Sequence, residues 1–85
     1  ENPKYVAAYT NLGYLAMARG FPAEALRLYQ IGLKLDPDNE SLLLNLAAYY
    51  LQMRNNQSAA EVLKKIIKIN PGNVAAKNAL QGLTT

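Results

Sequence analysis

Few side chains in this 85-residue sequence are suited to chemistry. Histidine and cysteine are absent, which removes the commonest general base, the commonest neutral metal ligand, every thiolate nucleophile and every disulfide. Carboxylates, lysines, hydroxyls and amides remain. Asp36, Asp38 and Glu40 are close in sequence, the kind of grouping from which acid–base catalysis can be built. They straddle Pro37 at an expected turn, where water solvates all three and nothing sets their pKa values apart. Glu61, Lys64, Lys65 and Lys68 recur at i, i+3, i+4 and i+7, a charged stripe opposite Val62, Leu63, Ile66 and Ile69. Glu61 precedes Lys65 by four, the favourable order for an ion pair worth a few tenths of a kcal/mol. The stripe reads as a solvated face, because no aromatic residue interleaves with it to stack nucleic-acid bases. No serine or lysine has a base or orienting partner in view, and neither GxxxxGK nor GxGxxG occurs. The expectation is a protein that is not an enzyme, with no catalytic residue, cofactor or metal site.

The elements that position these residues are set by a repeat. Asn2-Pro3, Asp36-Pro37 and Asn70-Pro71 recur every 34 residues. Shifted by that period, Asn11-Leu12 falls on Asn45-Leu46, Gly13 on Ala47, Ala25 on Ala59, Lys34 on Lys68 and Leu35 on Ile69. A fixed period in this range marks a repeat architecture. The chain divides into residues 1–5, the tail of a further copy; residues 6–39, a first repeat; residues 40–73, a second; and residues 74–85, a capping helix or a truncated third repeat.

Each copy predicts two helices. Tyr9, Leu12, Gly13 and Ala16 lie on one face of a helix over residues 6–19. The run Arg19-Gly20-Phe21-Pro22 breaks it, with Gly20 suited to a left-handed cap and Pro22 to the first turn of the next helix. That helix runs to Leu35, where Asp36-Pro37 stops it. In the second copy the asparagines of Arg54-Asn55-Asn56-Gln57-Ser58 are expected to do the same work, and Asn39 and Asn73 to cap helix starts. Residues 74–85 predict a fifth helix, apolar along Ala76, Leu80 and Leu83 and polar along Lys77, Asn78 and Gln81. No apolar run reaches the roughly 20 residues of a membrane span.

These residues carry a family resemblance. Tyr9, Leu12-Gly13, Ala16, Ala25-x-x-x-Tyr29 and Pro37 are similar to the tetratricopeptide repeat pattern, and Leu43, Leu46-Ala47, Tyr50, Ala59-x-x-x-Leu63 and Pro71 repeat it. The resemblance implies an all-α fold, a right-handed α-solenoid of stacked antiparallel helix hairpins with five helices here. Small residues, Gly13 with Ala25 and Ala47 with Ala59, are expected where paired helices cross, and Leu12, Tyr29, Leu46 and Leu63 to bury the surface around them. Ile66 departs from the pattern, standing where Gly32 stands in the first copy.

In such a fold the first helices of successive repeats line a concave groove. Alignment places Ala7, Thr10, Asn11, Tyr14, Met17 and Ala18 there, then Ser41, Leu44, Asn45, Ala48, Leu51 and Gln52, and from the last helix Ala75, Asn78 and Ala79. The resemblance implies a module that binds a partner peptide or helix through this mainly apolar surface, with the Asn11 and Asn45 amides able to bond a peptide backbone. The alternative for both asparagines is a place in the repeat frame, bonding neighbouring helix ends. One subfamily grips acidic C-termini through lysines, an arginine and asparagines. Those positions hold Thr10, Tyr14, Asn45, Ala75 and Ala79 here, so only Asn45 matches and that ligand is not expected. Two other functions stand beside peptide binding. The repeats could serve as a structural spacer or a self-assembling fragment, a homo-oligomer through the uncovered first helix. RNA binding is the remaining class, disfavoured by the short period and the sparsely charged groove. The expected partner is thus protein, with no nucleic acid and no membrane segment.

Overall fold

Two kinds of turn, used alternately, fold this chain, and each follows from its residues. The computed structural model describes residues 3–84, and the backbone over them forms five helices: α1 (Pro3–Ala18), α2 (Pro22–Leu35), α3 (Glu40–Gln52), α4 (Asn56–Ile69) and α5 (Val74–Thr84). Within a hairpin, α1 ends with the Gly20 N–H donating to Met17 O at 3.1 Å and the Phe21 N–H donating to Ala16 O at 2.8 Å. These two bonds form a Schellman motif, which needs one residue in left-handed geometry, and Gly20 supplies it at φ 84°. One period later the Arg54 N–H donates to Leu51 O at 3.1 Å and the Asn55 N–H to Tyr50 O at 2.8 Å. The left-handed residue there is Arg54, at φ 61°, and not an asparagine. Place in the motif decides this, since Arg54 aligns with Gly20, and a side chain in that geometry costs about 1–2 kcal/mol. Asn55 instead caps α4, accepting the Ser58 N–H at 3.1 Å.

Between hairpins the turn is a β-turn. The Asn39 N–H donates to Asp36 O and the Asn73 N–H to Asn70 O, with Pro37 and Pro71 at the second position, where their fixed φ fits. Asn39 and Asn73 then cap α3 and α5 as the sequence predicts, accepting the N–H groups of Leu42 at 2.9 Å and Ala76 at 3.0 Å. α1 departs from this scheme by starting at Pro3 rather than at residue 6. Lys4 and Tyr5 stand where the second copy has Asp38 and the capping Asn39, so no side-chain acceptor stops the helix from reaching back to proline, which a first turn accepts.

Each helix packs on its neighbours in the chain, and α1 also packs on α3, so α1 and α3 lie side by side with α2 against both. The result is a slab of 34 × 28 × 16 Å. One core cluster gathers Val6, Ala16, Ala25, Leu28, Tyr29, Leu42, Leu46 and Tyr49, and a second gathers Leu43, Ala47, Leu63, Ile66 and Ala76. The expected small residues are there: Ala25 and Ala59 are fully buried and Ala47 nearly so. Leu12 is the exception among the bulky ones. It is 50% exposed, whereas its counterpart Leu46 is buried against the first hairpin. Among the described residues no hairpin lies on the outer side of α1.

Facing positions exchange size between the two copies. A Cβ added to Gly13 would lie 2.7 Å from Tyr29 Cδ1 and 2.9 Å from Cζ, so the ring occupies the space a side chain would need. One period on, the same two places hold Ala47 and Leu63, one larger and one smaller, in one core cluster. Gly32 repeats the relation: a Cβ there would lie 2.7 Å from Leu42 Cδ2. Its counterpart Ile66 faces the level of Ala76, the counterpart of Leu42, and both are fully buried in the second cluster. The departure at Ile66 is thus compensated across the interface by a side chain reduced to a methyl.

The second inter-hairpin turn is also tied to α3. Glu40 Oε1 accepts hydrogen bonds from Asn70 Nδ2 and Asn73 Nδ2, both at 2.9 Å. These two bonds hold the Glu40 carboxyl below the usual glutamate range. In the first copy the place of Glu40 belongs to the buried Val6, and Asn39 Nδ2 donates to Asp36 within its own turn. Among the described residues the ion pair present is Glu24–Arg27 at 2.7 Å, exposed and of little weight; Glu61 and Lys65 do not pair.

Gly13→Ala is expected to destabilise the protein by about 1–2 kcal/mol, the overpacking cost exceeding the gain in helix propensity. In a Tyr29→Leu background the same change becomes neutral or stabilising, because the site then has the residues of the second copy. Urea unfolding of the four chains tests this; equal effects in both backgrounds would contradict it. Because the Glu40 carboxyl is held low in the folded state, its contribution is full above the unfolded glutamate value of about 4.3 and is lost as pH falls through the lower folded value. Glu40→Gln should therefore flatten the acid limb of a thermal-stability profile below about pH 4.5. An unchanged acid limb would show that the two asparagine bonds do not favour the ionised form.

Candidate binding groove

The groove face begins with helical spacing. Tyr14, Met17 and Ala18 lie at i, i+3 and i+4 on α1, and Asn45, Ala48, Tyr49 and Gln52 at i, i+3, i+4 and i+7 on α3. With α1 and α3 side by side, these seven residues line one cleft of about 170 Å³, and Tyr29 of α2 closes it from below. That volume is smaller than the roughly 300–1,000 Å³ of small-molecule sites and suits a single side chain. The size exchange shapes it. Gly13 lets the Tyr29 ring lie directly against α1 and reach the cleft, and Ala48, in the place of Tyr14 one period on, leaves the opposite wall open.

The cleft is apolar with amide and phenol groups and carries no charged residue in its lining. Neither Asn45 nor Asn11 uses its amide on any described residue, so they do not bond neighbouring helix ends as the frame alternative requires. Tyr29 is 2% exposed and makes no side-chain hydrogen bond among the described residues, yet no side-chain nitrogen or oxygen among them is both buried and unpartnered. Its hydroxyl therefore opens into the cleft. Burial first, and then Tyr14, push the Tyr29 phenol above the ordinary tyrosine value. Tyr49 packs edge-on against Tyr50 with ring centroids 5.2 Å apart, which fixes the ring forming the α3 wall.

A second hollow of about 160 Å³ lies between the same helices, lined by Ala7, Thr10, Asn11, Asn39 and Ser41. Thr10 offers it little. The side chain is buried and its hydroxyl donates to Val6 O at 2.9 Å, a bond within its own helix turn. Leu44 and Leu51 are half-buried and line neither hollow; Leu44 packs against the second core cluster. Asn78 is exposed on α5 and also lines neither. The structure thus brings Tyr14, Met17, Asn45, Ala48 and Gln52 together at one cleft, places Asn11 and Ser41 at another, and gives Thr10 and Leu44 largely to packing. Tyr29 and Tyr49 belong to the cleft without having been expected there. Tyr29 fills a slot that reads as core, and the signal for its second role is the glycine opposite it.

Comparison with known proteins agrees with this architecture. The family model described as tetratricopeptide repeat matches residues 10–74. Over 58 residues the chain is 38% identical to the small glutamine-rich tetratricopeptide repeat-containing protein 2 of Mycosarcoma maydis. That alignment takes in 68% of this chain and 16% of the fungal protein, so the chain spans a small part of the curated relative it matches.

Proposed function

This chain belongs to the tetratricopeptide repeat family, and from that premise we propose that it is a protein-interaction module whose α1–α3 cleft receives one apolar side chain of a partner peptide. Members of the family serve in general as protein-binding scaffolds, and no helix among the described residues is long and apolar enough to cross a membrane. The observation that carries the reading is the pairing of an uncharged, side-chain-sized cleft with the unengaged Asn45 amide at its edge. Tyr14, Met17, Tyr29 and Tyr49 supply apolar contact, and the Asn45 amide can donate to one peptide group and accept from another. Burial of an apolar side chain there is worth roughly 1.5–3 kcal/mol, enough to anchor a segment whose remaining contacts are weak. The absence of lysine or arginine from the lining argues against recognition of a terminal carboxylate, which would lie in the cleft without a counter-charge.

Peptides selected from a display library on the 85-residue chain test this. They should share one large apolar residue, and Ala48→Arg, at an exposed position that fills the cleft, should weaken them about tenfold or more. Asn45→Ala should weaken them less. Selected peptides indifferent to both changes would refute the cleft as the binding site.

A further inference from the structure

The two hollows between α1 and α3 stand at a fixed distance from each other. On α1 the polar hollow is lined by Ala7, Thr10 and Asn11, and the apolar cleft by Tyr14, Met17 and Ala18, each seven residues further on. On α3 the same step separates Ser41 from Ala48. Seven residues are two turns of helix, about 10.5 Å along the axis. The hollows are alike in size, about 160 and 170 Å³, and neither lining holds a charged residue. They differ in chemistry. In the polar hollow Asn39 is already engaged: its Oδ1 accepts the Leu42 N–H and its Nδ2 donates to Asp36. Thr10 donates to Val6 O. The Ser41 hydroxyl and the Asn11 amide make no hydrogen bond among the described residues, and each can both donate and accept. The side chain that fits is neutral and does the same: serine, threonine, asparagine or glutamine.

Backbone geometry limits what can join two side chains at that distance. A β-strand returns to one face every two residues, at roughly 6.6 and 13.2 Å, and misses it. A polyproline-II segment returns every three residues, about 9.3 Å, and an α-helix after seven, about 10.5 Å. The asparagines choose between these two. Asn11 and Asn45 occupy equivalent places on neighbouring helices and border one hollow each, with both amides unengaged among the described residues. An α-helix pairs its own backbone groups, whereas polyproline II has no internal hydrogen bonds and leaves its backbone open to these amides. We propose that the partner segment runs along α1 and α3 as polyproline II, with its apolar anchor in the cleft and, three residues away, a serine, threonine, asparagine or glutamine in the Asn11–Ser41 hollow, a proposal that rests on the cleft being the peptide site.

Selection by the 85-residue chain from a peptide library with one fixed leucine and every other position varied tests this, with circular dichroism reporting the fold of each variant. The selected peptides should carry one of the four polar residues three places from the leucine. Proline at both places between should hold or raise affinity, and glycine at both should lower it. Ser41→Leu, at an exposed position, fills the polar hollow with an apolar side chain. It should erase the preference at the polar place and lower affinity about two- to tenfold, while the leucine remains required. Asn11→Ala, which favours the α1 helix, should lower affinity in the same range. Leucine-dependent peptides with no polar preference at three places, or with one at seven places and intolerance of proline, would overturn the inference and leave the cleft standing. Peptides that bind without regard to the leucine would overturn both.

Discussion

The distance at which neighbouring helices can pack is the constraint on which the rest of this structure depends, and it is set by pairs of facing side chains whose sizes trade off. Where α1 carries glycine, α2 faces it with tyrosine; where α3 carries alanine, α4 answers with leucine. Between hairpins the order reverses, Gly32 against Leu42 in one case and Ile66 with Ala76 in the other. Close-packed interiors tolerate such exchanges when total volume is kept and resist either change alone. A repeat protein can therefore vary its sequence freely at single positions only by varying the facing position too.

The same trade creates the functional surface. A glycine at residue 13 does more than allow close approach: it draws an aromatic ring through the layer, so that one side chain is both core and cleft floor. Tyr14 and Ala48, at equivalent places, then make the walls unequal and leave room between α1 and α3. On the other side of α1 the hairpin keeps the surface that each copy offers to its predecessor, with Leu12 in the open where Leu46 is covered. Groove and outer face are two consequences of one repeat, divided by a single helix.

Much of this was legible in the residues. The Asx-Pro dipeptides set the period, Asp36-Pro37 and Asn70-Pro71 are the first two positions of the β-turns between hairpins, and Asn39 and Asn73 cap as their type and place require. What stayed hidden needed knowledge of neighbours. Leu12 matches its repeat position, but a pattern states which residue type fits and not whether anything lies against it. Arg54 occupies left-handed geometry because the Schellman motif repeats at its position, which residue preference alone assigns to the asparagines beside it. Thr10 faces the groove by alignment, yet its hydroxyl is satisfied by the carbonyl one turn back. Ile66 reads as a misfit until Ala76 is seen to have given up the space.

The most direct test of reciprocal sizing is to install the second copy's pair in the first. Gly32→Ile and Leu42→Ala each break the match, one by overfilling and one by leaving a cavity, and each should cost about 2 kcal/mol or more in urea unfolding. The double variant reproduces the Ile66–Ala76 combination and should recover at least about 1 kcal/mol relative to the sum of the single effects. Strictly additive losses would mean that the two side chains do not share one space, and would contradict the account at its root.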